Sequence, residues 1–209
     1  MTGESTPTVD DRSSTATESL SLPPDAALVL IDLQTGFDEP RWGERNNPDA
    51  ESRAGELLAA WREADAPICH VRHDSTESDS PLRSDEPGFS WKPETAPTDG
   101  EATFVKSVNA AFLDSGVTDW LDERGIETVV LAGLTTDHCV STSARLAENF
   151  GYAVFVAADA TATFDRRLGD ERFDAETIHR TALAQLDGEF ATIAPTGTLI
   201  GAIERATAD

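Results

Sequence analysis

Three residues of this 209-residue chain have side chains and surroundings suited to covalent chemistry: Cys139, Asp32 and Lys106. Cys139 closes the run Gly133-Leu-Thr-Thr-Asp-His-Cys139, just inside a helix expected to begin near Thr136. Unpaired backbone N–H groups and the positive end of a helix dipole favour thiolate there. The same N–H groups can hold an oxyanion formed by attack on a carbonyl. Taken alone, the position also suits a buried cysteine that fills a core. Cys69 lies mid-strand between Ile68 and His70 with no helix start nearby, and is expected to be structural. Asp32 follows the all-apolar run Ala27–Ile31, where a carboxylate either braces a loop or acts as a base. Partial burial would raise its pKa toward the range useful for proton transfer near neutrality. Lys106 stands out because the chain has just two lysines, Lys92 being the other, while its remaining bases are arginine. A compact ammonium fits a tight charged site better than a planar guanidinium. Lys106 is therefore expected to pair with Asp32, favour thiolate and steady developing negative charge, the alternative being an ordinary solvated lysine.

The pattern that must position these residues alternates strand and helix. Strands are predicted at Ala27–Ile31, 67–71, Ala102–Lys106, 127–132, 152–158 and 190–193. Helices are predicted from an Asn47-Pro48 cap through Ala64, at 118–124, from about Thr136 to Phe150, at Ala175–Leu186 and at 198–205. Such alternation implies an α/β fold with a parallel sheet and right-handed crossovers. In these sheets small ligands sit outside the carboxyl ends of the strands. Asp32, Lys106 and the turn delivering Cys139 each follow a strand, so the three converge on one rim. Residues 74–101 form a long polar loop, a length that inside a compact domain is usually functional or disordered.

Composition narrows the function further. There are 39 acids against 16 bases and a net charge of −23. That surface repels nucleic acid and anionic membranes and fits adaptation to a salt-rich cytoplasm. The apolar runs are too short to span a bilayer. Residues 1–22 are polar, read as a disordered tail rather than a secretory signal, and leave 23–209 as one domain. A cytoplasmic location follows. No CxxC or HxxxH pair supports a structural zinc site, and no GxGxxG or GxxxxGK[ST] supports a nucleotide or flavin protein. Asp137-His138-Cys139 is not expected to bind a metal, because successive helical residues point in different directions.

Three segments resemble the isochorismatase-like cysteine hydrolases: ALVLIDLQTGF at Ala27–Phe37, VKSVNAAF at Val105–Phe112 and AGLTTDHCV at Ala132–Val140. Val71-Arg-His73 and Ala158-Asp-Ala-Thr161 extend the likeness, which covers about residues 25 to 205. The resemblance implies a three-layer αβα sandwich with a six-stranded parallel sheet and a catalytic triad of Asp32, Lys106 and Cys139. It also implies a non-proline cis peptide between Leu134 and Thr135, with the Thr135 and Cys139 N–H groups forming an oxyanion hole, and assembly as a dimer or tetramer. Two departures matter. Nicotinamidases of the family bind a metal through an Asp-x-His signature and a second histidine, whereas residues 35–60 here contain no histidine. The siderophore-pathway isochorismatases, which cleave a vinyl ether, lack the cysteine. The chain therefore looks more like the metal-free group, which includes N-carbamoyl-amine, ureido and streptothricin-lactam hydrolases. The expected activity is cleavage of an amide-like C–N bond of a small molecule without a cofactor; a vinyl ether hydrolase and a non-catalytic binding protein are the alternatives. Gln34, Phe37, His73, Trp91 and Phe112 are expected to line the pocket, and Asp159 to brace a turn.

Overall fold

The computed structural model describes residues 20–208. The expected tail lies largely outside this range. Leu20 and Leu22, at its near end, pack against the core. Among the described residues no helix is long and apolar enough to cross a membrane.

In chain order the elements are β1 (Ala27–Ile31), α1 (Ala50–Glu63), β2 (Ile68–His73), β3 (Ala102–Lys106), α2 (Val117–Asp122), β4 (Thr128–Leu134), α3 (Ser141–Asn149) and β5 (Ala153–Ala162). A hairpin of β6 (Arg166–Leu168) and β7 (Glu171–Phe173) follows, then α4 (Ala175–Leu186), β8 (Thr192–Ala194) and α5 (Thr196–Thr207). Six strands form one parallel sheet in the order β3-β2-β1-β4-β5-β8. The first crossovers run outward from β1 to one edge, and the chain then returns to β4 and fills the other. That reversal puts the carboxyl ends of β1 and β4 side by side at the centre.

The buried run of β1 explains the layering. Successive side chains of a strand point to opposite faces. Leu28 and Leu30 join Leu57, Leu58 and Trp61 of α1 and Leu199 and Ile203 of α5 in one core. Ala27, Val29 and Ile31 join Leu121 of α2, Ala144 and Ala147 of α3, and Leu183 and Leu186 of α4 in the other. Each buried leucine of this kind contributes about 1.5–3 kcal/mol. Trp61 is fully buried and satisfies its indole N–H on Ala26 O at 2.8 Å.

Several local expectations change. α1 begins at Ala50, and Asn47 is not its cap: its amide donates instead to Thr161 O at 2.8 Å and Ala158 O at 3.2 Å, tying the loop after β1 to β5. β4 and β5 run on past residues 132 and 158, because both stay buried as they approach the site. The 74–101 segment is ordered against the loop after β1: Thr35 N–H donates to Ser90 O and Lys92 N–H to Leu33 O, both at 2.9 Å. The buried Lys92 ammonium pairs with Asp38 and with Glu51 at 3.1 Å, which fixes this seam. Asp159 accepts from Thr196 N–H at 2.7 Å and braces the start of α5.

Candidate active site

Asp32 is the first residue beyond β1 and adopts a left-handed backbone, φ 53°, which an aspartate tolerates better than most residues. Its side chain is fully buried. Lys106 ends β3, two strands away, and reaches across β2 to donate to Asp32 Oδ2 at 2.7 Å. The same ammonium donates to Val108 O at 3.1 Å and lies 3.4 Å from Cys139 Sγ and 3.5 Å from His73 Nδ1. Cys139 arrives from β4 through a wide turn at Thr136–Val140 that leads into α3. Three residues separated by at least 33 positions thus meet at the carboxyl ends of β1, β3 and β4. Asp32 Oδ1 is buried with no hydrogen-bond partner among the described residues. An unmatched carboxylate oxygen at such a spot is costly unless it has a task. Gln34 ties the loop after β1 to the end of β2: its amide accepts from His73 N–H at 2.8 Å and donates to His73 O at 3.1 Å.

The helix start and Lys106 favour thiolate at Cys139, but burial acts against them. Burial pushes the Cys139 thiol well above its ordinary pKa, the neighbouring Asp32 charge adds to the rise, and Lys106 opposes it without winning. A protonated thiol facing an ionisable carboxylate is a nucleophile that must hand over its proton as it attacks. Cys69 is pushed up as well, by burial alone. Cys139 opens onto a cavity and Cys69 does not. A small neutral alkylating reagent is therefore expected to modify Cys139 before Cys69. Its rate should climb without levelling between about pH 7 and 9, because the thiolate fraction grows tenfold per pH unit below a raised pKa. Peptide mapping across that range checks this; Cys69 reacting first, or a plateau near neutrality, would contradict it.

The cavity above the thiol encloses about 280 Å³. Phe37 and His73 line it, as do Thr135 and Cys139; the Leu134–Thr135 peptide is cis. Three other expected lining residues lie elsewhere. Gln34 is fully buried, its amide taken up by the end of β2. Trp91 pairs with Gln34 through the backbone and packs edge-on to His70 at 5.8 Å, which makes it an anchor of the long loop. Phe112 packs on Tyr152 at 6.0 Å in the α2–α3–α4 core. The residues missed by sequence reading come mostly from loops. Trp42 and Phe164 complete an aromatic wall with Phe37, ring centroids 5.2–6.2 Å apart. Glu77 and Ser80 come from the long loop and Arg166 from the β6–β7 hairpin. Asn109 accepts from Cys139 Sγ at 3.7 Å. Two signals were available: the Gly169-Asp170 pair that turns the hairpin, and the spacing of Asn109 three residues beyond Lys106. Among the described residues no group of three or more His, Cys, Asp or Glu side chains could hold a metal ion.

A family model described as the isochorismatase domain matches residues 26–197. The chain is 41% identical over 175 residues to the uncharacterized isochorismatase family protein YrdC of Bacillus subtilis, across 83% of this chain and 94% of that protein. It is 31% identical over 144 residues to a streptothricin hydrolase of Streptomyces noursei, across 66% of this chain and 50% of that protein. A crystal structure of an isochorismatase-family protein from Chromobacterium violaceum matches with a TM-score of 0.87 at 36% identity, across 91% of this chain and 100% of that one. By sequence and by fold, the chain belongs to the isochorismatase family of hydrolases.

Proposed function

We propose that this protein is a cysteine hydrolase that cleaves an amide-like C–N bond, in an amide, ureide or lactam, of a small molecule through a thioester on Cys139. One observation carries the reading: a buried thiol and a carboxylate with one oxygen unpartnered among the described residues line one cavity, and the Lys106 ammonium lies 3.4 Å from the sulfur. Lys106 holds Asp32 Oδ2 and leaves Oδ1 as the proton acceptor. Asp32 takes the Cys139 proton as sulfur bonds to the carbonyl carbon. The Thr135 and Cys139 backbone N–H groups supply the oxyanion site. The tetrahedral intermediate collapses by breaking the C–N bond, and Asp32 delivers the proton to the departing nitrogen. Asp32 then takes a proton from water, which attacks the thioester; the acid leaves, and the proton returns to sulfur. Lys106 keeps the local charge balanced through both halves.

The test is a panel of amides, ureides and lactams incubated with the enzyme and quenched rapidly. Intact mass and peptide mapping should reveal an acyl group on Cys139, with the amine released in equal amount. Cys139→Ala should form no adduct and lose turnover by at least about 10⁴-fold. Turnover retained by Cys139→Ala, or acylation of Cys69 instead, would overturn the reading, and so would a panel that gives neither adduct nor product.

A further inference from the structure

Building on the hydrolase reading, we infer that the cavity selects amides carrying a positive charge away from the scissile bond and rejects carboxylates, with Glu77 setting the preference. The fixed charges around the cavity are matched, with one exception. Lys106 is held by Asp32 at 2.7 Å. Arg166 looks at first like an anchor for a substrate carboxylate, but its guanidinium is already engaged. It donates to Asp137 at 2.7 and 3.1 Å, to Thr163 Oγ1 at 3.1 Å and to Asp165 O at 3.4 Å. A substrate anion would have to displace a built carboxylate from a bidentate pair. Arg41, near the Trp42 ring, is paired with Asp79. Burial holds His73 toward its neutral form, and His138 already lies 3.3 Å from the Asp137 carboxylate, so neither adds an unmatched positive charge.

Glu77 is the exception. It lines the cavity from the loop after β2, is exposed, and forms no ion pair among the described residues. A cation entering the cavity meets its unmatched carboxylate, and an anion is repelled by it. The aromatic wall of Phe37, Trp42 and Phe164 offers the same guest a surface for its apolar portion and a weak attraction for the cation itself. The net charge of −23 acts in the same sense at longer range, concentrating cations at the mouth and depleting anions. The local and the global field therefore agree in sign.

The experiment uses three amides that differ in one remote group: a trimethylammonium, its uncharged tert-butyl isostere and a carboxylate. Binding is measured by calorimetry on Cys139→Ser and kcat/KM on the wild-type enzyme. Affinity should fall in that order, with the cation favoured over the carboxylate by at least about tenfold at low salt. Glu77→Gln should shrink that ratio, and Glu77→Lys should invert it. Tightest binding by the carboxylate, absence of binding by all three, or a ratio unmoved in Glu77→Gln would overturn the inference. If all three bind in the expected order and none is hydrolysed, the hydrolase reading fails while the charge preference stands.

Discussion

Asp32→Asn is expected to lower kcat by about 10³-fold or more while leaving the protein folded, and to destabilise it markedly. The catalytic loss follows from the state of the nucleophile. The thiol is held protonated by burial first and by the Asp32 charge second. An asparagine keeps the shape of the side chain and can still sit beside Lys106, but its amide cannot take the proton that must leave sulfur. General-base removal of this kind typically costs 10²–10⁴-fold, and here the base also serves the second half of the reaction. The stability loss has a different origin. Lys106 is as deeply buried as Asp32, and the substitution leaves an ammonium with no opposing charge. Removing one partner of a buried pair costs about 3–5 kcal/mol. The two effects separate in the double variant Asp32→Asn/Lys106→Met, which removes the orphaned charge. Urea unfolding should place it well above the single variant in stability, while kcat stays at the level of Asp32→Asn. Recovery of turnover along with stability would mean that the pair is architectural and that the proton goes elsewhere.

The parts of the molecule that were legible in the sequence are those fixed by local physics. β1 is a continuous apolar run because both its faces are covered, and with the alternation of strands and helices that placed it inside a parallel sheet with Asp32 at its carboxyl end. Lys106 was visible through its rarity in an acidic chain, and Cys139 through the helix that follows it. The lining of the cavity was less legible, because it is assembled by loops whose paths depend on distant partners. Gln34 could be placed near the rim by counting residues, but nothing in its neighbourhood shows that its amide is taken up by His73, 39 residues on. Glu77 and Arg166 reach the cavity through a loop and a hairpin whose direction is set by contacts with other segments, such as the Asp165 carboxylate that binds Arg172 and the Ala175 N–H. The depth of burial around the thiol was not legible for a related reason: a helix terminus can be read from sequence, but the packing that covers it cannot.

Gly133→Ala is expected to be the most damaging single-methyl change in the protein, lowering stability by more than about 4 kcal/mol or preventing folding. Gly133 sits in β4 with φ 128°, a backbone region that L side chains rarely adopt. A Cβ at this position would lie 1.9 Å from Ile31 O and 2.8 Å from Ile31 C, both backbone atoms of the adjacent strand. No rotamer change relieves that overlap; the ends of β1 and β4 would have to part. These are the strand ends that carry the site: Asp32 follows Ile31, and the turn to Cys139 begins two residues after Leu134. Any fraction that folds should therefore also hold its base and its sulfur apart, and turn over slowly. Gly151→Ala is the control, because Gly151 also has a positive φ, 98°, yet a Cβ there meets nothing within 4 Å. It carries the backbone strain without the collision and should cost about 1 kcal/mol. Urea unfolding of both variants separates the two contributions. A Gly133→Ala protein with near wild-type stability and activity would show that β1 and β4 can slide apart freely, which a site built on the contact between their ends would not survive.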